Sequence, residues 1–188
     1  MLFRSEGRAW VAYDGFEGRS LARVLDARRG AAGALDPGTV RELFEQVLDA
    51  VAVAHEGAVP VLHGCLQPAA VLVKGGLVKV LDFGLLPFVS PGALAPYAAP
   101  ELGLEGAVPS LASEVYALGA TLADLLLPAP VGVAPRRALE TFLAALARDG
   151  ASAGRAQRGD VALALWDVLA RALRDRKSTR LNSSHLVI

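Results

Sequence analysis

The chain carries one thiol, Cys65, two places after His63 in the run His63-Gly64-Cys65. A cysteine near an imidazole can serve as a thiolate nucleophile when neighbouring cations lower its pKa. No lysine, arginine or second cysteine stands beside it, so that chemistry would rest on His63 alone. An ordinary thiol titrates near ~8.5 and stays mostly protonated at neutral pH, and it is a poor ligand for magnesium, which takes oxygen. Asp82 in Asp82-Phe83-Gly84 and Glu101 in Ala99-Pro100-Glu101 are the other short acidic signals. Taken one at a time they read as a turn and as the start of a helix.

These residues need elements to hold them. Residues 9–13 are short, apolar and aromatic, and Asp14-Gly15-Phe16-Glu17-Gly18 punctuates them as a strand followed by a connector. Residues 19–29 suit a short helix. Asp36 is a good N-cap, Pro37 fits the first helical position, and Val40, Leu43, Phe44, Val47 and Val51 recur at helical spacing, so a long amphipathic helix is expected to end near His55, with Gly57 just beyond. Val71-Leu72-Val73, Lys74-Gly75-Gly76 and the run 77–81 read as a hairpin. Residues 85–100, with four prolines and no period, read as an irregular loop. Three helices follow, over about 110–127, 136–148 and 160–174, and no internal repeat is visible.

Three segments now fall in order. His63-Gly64-Cys65-Leu66-Gln67-Pro68-Ala69-Ala70-Val71-Leu72 resembles the protein kinase catalytic loop, H-R-D-L-K-P-E-N-I-L. Asp82-Phe83-Gly84 matches the D-F-G signature behind it, and Ala99-Pro100-Glu101 matches A-P-E. Residues 6–21 look like the last strands of a kinase N-lobe running into the hinge. Ser113-Glu114-Val115-Tyr116-Ala117-Leu118-Gly119 resembles S-D-V-Y-S-L-G of the central C-lobe helix, and Leu169-Ala170-Arg171-Ala172-Leu173 a late helix of that lobe. The resemblance implies an α+β, mainly α-helical fold: a kinase-like C-terminal lobe with a short β-hairpin and a remnant of the last N-lobe strands and hinge.

The resemblance also implies ATP and magnesium, with Asp14 and Phe16 at the hinge and Asp82 toward the cofactor and metal. Phosphoryl transfer is mostly positioning and charge stabilisation, and the loop departs from the family where that work is done. The catalytic base falls on Cys65, the following lysine on Gln67, and the magnesium-binding asparagine on Ala70, leaving Asp82 as the surviving ligand of the pair. A general base contributes about a hundred- to ten-thousand-fold, or roughly 3–5 kcal/mol of barrier. A pseudokinase acting as a binding or regulatory module is therefore expected; the other readings are a fragment of an active Ser/Thr kinase and a purely structural helical domain that mimics the motifs.

The remaining matched positions imply support. His63 and Phe83 would stack within the lobe, Glu114 would stand where the family holds the catalytic loop with an aspartate, and Glu101 would lack its usual arginine. An unpaired buried carboxylate there would cost several kcal/mol. Fourteen residues separate Gly84 from Ala99, and Ser90 is the hydroxyl among them besides Tyr97. Gly64 replaces the arginine that pairs with a loop phosphate in many kinases, so control by loop phosphorylation is not expected.

Nineteen basic and nineteen acidic residues leave no charge footprint for nucleic acid or an anionic membrane. The apolar run 111–127 holds Glu114 and Asp124 and precedes Pro128, which suits a buried helix better than a membrane span. Neither a membrane segment nor a signal peptide is read, so the cytoplasm and an unidentified protein partner are expected. Residues 1–5 and 175–188 resemble translated sequencing adapters, which confines the kinase-like portion to 6–174.

Overall fold

The computed structural model describes residues 2–5, 8–31, 33–89, 94, 96–103, 107–127 and 135–174. Their order is β1 (Leu2–Ser5), β2 (Arg8–Val11), β3 (Arg19–Ser20), α1 (Leu21–Ala31), α2 (Pro37–Glu56), β4 (Val71–Lys74), β5 (Leu77–Val80), α3 (Leu111–Leu126), α4 (Pro135–Asp149), α5 (Ala151–Gln157) and α6 (Leu163–Arg174). The fold is mainly helical, with β1 and β2 paired antiparallel and a separate antiparallel sheet in the order β3-β4-β5.

Helix α2 starts for the reason its sequence suggests. The Asp36 carboxylate accepts from the Gly38 and Thr39 amides, at 2.9 Å each, and satisfies two donors of the first turn. Val40, Leu43, Phe44, Val47 and Val51 line its buried face. At its far end Gly57 is extended, with φ −61°, and is not a left-handed cap. Helix α3 opens with a capping box in which Ser110 Oγ accepts from the Ser113 amide at 3.2 Å and Ser113 Oγ from the Ser110 amide at 2.8 Å.

The hairpin forms with Lys74 opposite Leu77. Gly75 and Gly76 both have positive φ, 56° and 82°, as a two-residue turn of the twist-matched kind requires. Gln46 ties it to α2: its Nε2 donates to the Gly76 carbonyl at 2.8 Å and its Oε1 accepts from the Val78 amide at 3.1 Å.

Three expectations change. Arg19 and Ser20 pair with Val73 and Leu72 as β3, so the first helix begins at Leu21; pairing with the hairpin wins over local helix propensity. A further helix, α5, lies between the last two expected ones. Gly154 in it faces the ring of Trp166, which is fully buried and packs edge-on against Phe142 with centroids 5.6 Å apart. A Cβ at Gly154 would come within 2.1 Å of the indole, so glycine here permits helix contact. In the stretch expected to be irregular, 3₁₀ turns form at Leu86–Phe88 and Pro100–Gly103.

Leu2–Ser5, set aside in sequence as adapter-like, pairs as β1, whereas residues 175–188 and Ser90 lie outside the described residues. Among the described residues no helix is long and apolar enough to cross a membrane.

Candidate functional site

The site gathers where two loops are stitched together. The Gly84 amide donates to the His63 carbonyl at 3.1 Å and the Leu81 amide to the Ala70 carbonyl at 2.8 Å. These bonds lay the 63–70 loop along residues 81–84. Pro68–Ala70 form a 3₁₀ turn preceded by half-buried Gln67, and Ala70 is buried directly before β4.

Glu114 holds the 63–70 loop from below. The carboxylate is 2% exposed; Oε1 accepts from the His63 amide at 2.9 Å and Oε2 from the Gly64 amide at 3.1 Å. His55 Nε2 lies 3.2 Å from the same Oε1. The longer glutamate thus reaches two successive amides and a ring nitrogen. Gly64 has φ +76°, with Leu86 and Pro109 3.4 and 3.6 Å from where a Cβ would sit. Here the glycine has a backbone reason that the comparison with an arginine position did not supply.

Cys65 is 5% exposed. Its thiol donates to the Asp82 carbonyl across 3.4 Å, and its Sγ lies 3.6 Å from His63 Nδ1. Burial, followed by the charges of Asp82 and Glu114, pushes the thiol up to about 11. Burial also holds the His63 imidazole below its ordinary value. Both shifts favour a neutral thiol beside a neutral ring, the opposite of the ion pair a cysteine nucleophile needs. His63 stacks on Phe83, with ring centroids 4.6 Å apart and planes tilted by 43°.

Asp82 follows β5 with φ +67°, the one non-glycine residue with positive φ among those described. Aspartate tolerates this region better than most side chains. Its carbonyl also accepts from the Leu85 amide at 3.2 Å. Its carboxylate accepts a hydrogen bond from the Tyr13 hydroxyl, 69 residues away in sequence. Partial burial of that hydroxyl, with the Asp82 bond and charge, pushes Tyr13 up to about 12.

The hinge residues stand further out. Asp14 is exposed and its carbonyl accepts from Lys79 Nζ at 3.1 Å, while half-buried Phe16 closes a tight turn through the Gly18 amide, 2.8 Å from its carbonyl. Glu101, expected to be buried without its usual arginine, is half-buried and is not without a partner.

Sequence reasoning did not find the side-chain partners of Asp82 and Asp124. Tyr13 was read only as the end of a strand, and no local pattern signals a partner so distant. Asp124 was read only as a charge within an apolar helix, which was the available signal. It is 2% exposed and receives Arg29 from α1 and the Tyr97 hydroxyl, the latter at 2.9 Å. Burial holds the Asp124 carboxyl above the usual range against the pull of Arg29, and burial likewise raises Tyr97.

A magnesium–nucleotide complex needs several oxygen donors and cationic clamps. Here Asp82 offers a carboxylate already bonded to Tyr13, Ala70 offers a methyl group, and Cys65 a protonated thiol. Among the described residues no cluster of three His, Cys, Asp or Glu side chains is arranged for a metal. The donor set does not fit that group.

The family model for the protein kinase domain matches residues 1–187. A putative cyclin-dependent kinase F-2 of Oryza sativa subsp. japonica is 34% identical over 132 residues, covering 65% of this chain and 39% of that protein. Sperm motility kinase 2B of Mus musculus is 34% identical over 129 residues, covering 64% and 25%. Serine/threonine-protein kinase PrkC of Bacillus subtilis (strain 168) is 28% identical over 127 residues, covering 62% and 18%. The chain thus spans well under half the length of these curated relatives.

Proposed function

The chain belongs to the protein kinase domain family, and from that premise we propose that it is a catalytically impaired, C-lobe portion of such a domain, serving as a binding or regulatory module of the cytoplasm. The family as a whole works with ATP and Mg2+. One observation carries the reading: the residue at the base position, Cys65, is a buried thiol that donates into the Asp82 backbone, and the position of the second cation ligand is held by buried Ala70. A thiol near pH 7 with its titration near 11 accepts no proton from a substrate hydroxyl. Glu114, His63 and Phe83 then act as loop support, keeping the lobe's shape for a protein partner.

A second reading, a segment of an active Ser/Thr protein kinase that transfers the ATP γ-phosphate to protein hydroxyls, is favoured by the retained Asp82-Phe83-Gly84 and by the names of the relatives. Transfer of labelled γ-phosphate by the longest protein that contains this segment separates the two, with wild type compared with Asp82→Ala. Both are expected at background. Turnover that disappears in Asp82→Ala would overturn the first reading in favour of the second.

A further inference from the structure

The Asp82 carboxylate has a partner within the chain. Tyr13 follows β2 and is 45% exposed, and its hydroxyl donates to the Asp82 carboxylate. The Asp82 backbone is pinned independently by the Cys65 thiol at 3.4 Å and the Leu85 amide at 3.2 Å. That backbone takes a left-handed φ of +67°. The next residue, Phe83, is fixed by its stack on His63. Asp82 is therefore held through carbonyl, neighbour and carboxylate together, and the last of these holds comes from a residue 69 positions away in the chain.

We propose that Tyr13 is a clasp: its hydroxyl closes on the Asp82 carboxylate, shuts the site over Cys65, and occupies the acid that a cation or nucleotide phosphate would have to approach. This deepens the functional reading above and rests on it. A tyrosine hydroxyl on a carboxylate is a charge-assisted bond, stronger than a neutral one. Any cation reaching Asp82 has to displace it and to recover the lost hydrogen bond from its own ligands.

Cys65 is the single cysteine, so its alkylation reports on this site alone. Iodoacetamide labelling of the 188-residue chain would be followed at one pH for wild type, Tyr13→Phe, Asp82→Ala and the double variant, with circular dichroism confirming that each is folded. Tyr13→Phe should speed labelling about tenfold in the wild-type background and less than about twofold when Asp82 is already alanine, because both changes break one bond. Any cost of alanine at positive φ is common to both Asp82→Ala arms and drops out of the comparison. Should Asp82→Ala not fold, Asp82→Asn takes its place, with the same direction and a smaller gap. An equal acceleration by Tyr13→Phe in both backgrounds, or none in either, overturns the clasp and leaves the impaired-kinase reading standing. Asp82-dependent phosphate transfer would instead defeat that reading, whatever the labelling rates show.

Discussion

Asp124→Ala is expected to cost about 3–5 kcal/mol of folding stability, read as a drop in the urea midpoint at unchanged slope. The side chain joins three parts of the lobe: α3 carries it, Arg29 reaches it from α1, and Tyr97 reaches it from the segment ahead of Ala99-Pro100-Glu101. Arg29 also donates to the Asp124 carbonyl at 3.3 Å. Alanine leaves a nearly buried guanidinium that cannot shed its proton and a tyrosine hydroxyl without its acceptor. The reciprocal change should differ in kind. Arg29→Ala leaves a carboxyl whose pKa burial already raises, so it can take up a proton and escape the charge penalty. In that variant the folded-state pKa lies above the unfolded one, so folding binds a proton and stability relative to wild type recovers as pH falls through the raised folded-state pKa. Equal, pH-independent losses for the two variants would contradict this asymmetry.

Glu114→Ala should be nearly as damaging, by about 3–4 kcal/mol, because the buried His63 amide and the part-buried Gly64 amide lose their acceptor and an unsatisfied buried donor costs about 1–3 kcal/mol. The local readout is hydrogen exchange. The His63 and Gly64 amides should lose protection before the rest of the loop, and Glu114→Gln, which keeps an oxygen for one of them, should fall in between. Unchanged protection of both amides in Glu114→Ala would show that the loop has another anchor. Because Glu114 also lies 3.2 Å from His55, the alanine variant frees α2's last turn at the same time.

What could be read from sequence divides along physical lines. The span and buried face of α2 follow from its N-cap and its three- and four-residue apolar spacing, and the hairpin follows from Gly75-Gly76; both are local signals. Ordered motifs carried the family resemblance, because Asp82, Phe83 and Gly84 stand at a set distance behind His63. Strand β3 was illegible: two residues that would continue a helix are taken into a sheet by residues 72 and 73, some fifty places on. Helix α5 was hidden because its purpose, a glycine against Trp166, exists only once the late helices pack. The Tyr13–Asp82 and Arg29–Asp124 bonds join residues far apart in the chain, and no spacing rule reaches that far.

The proposed loss of a cation site at Asp82 is tested most directly by titrating the chain into Mn2+–ATP and following the electron paramagnetic resonance signal of the Mn2+–ATP complex. With Ala70 and Cys65 unable to coordinate and Asp82 bonded to Tyr13, the Mn2+–ATP signal should be the same with the chain present or absent, and the same again with Asp82→Asn. A saturable loss of signal that requires the chain and vanishes in Asp82→Asn would mean that a working metal–nucleotide site survives there.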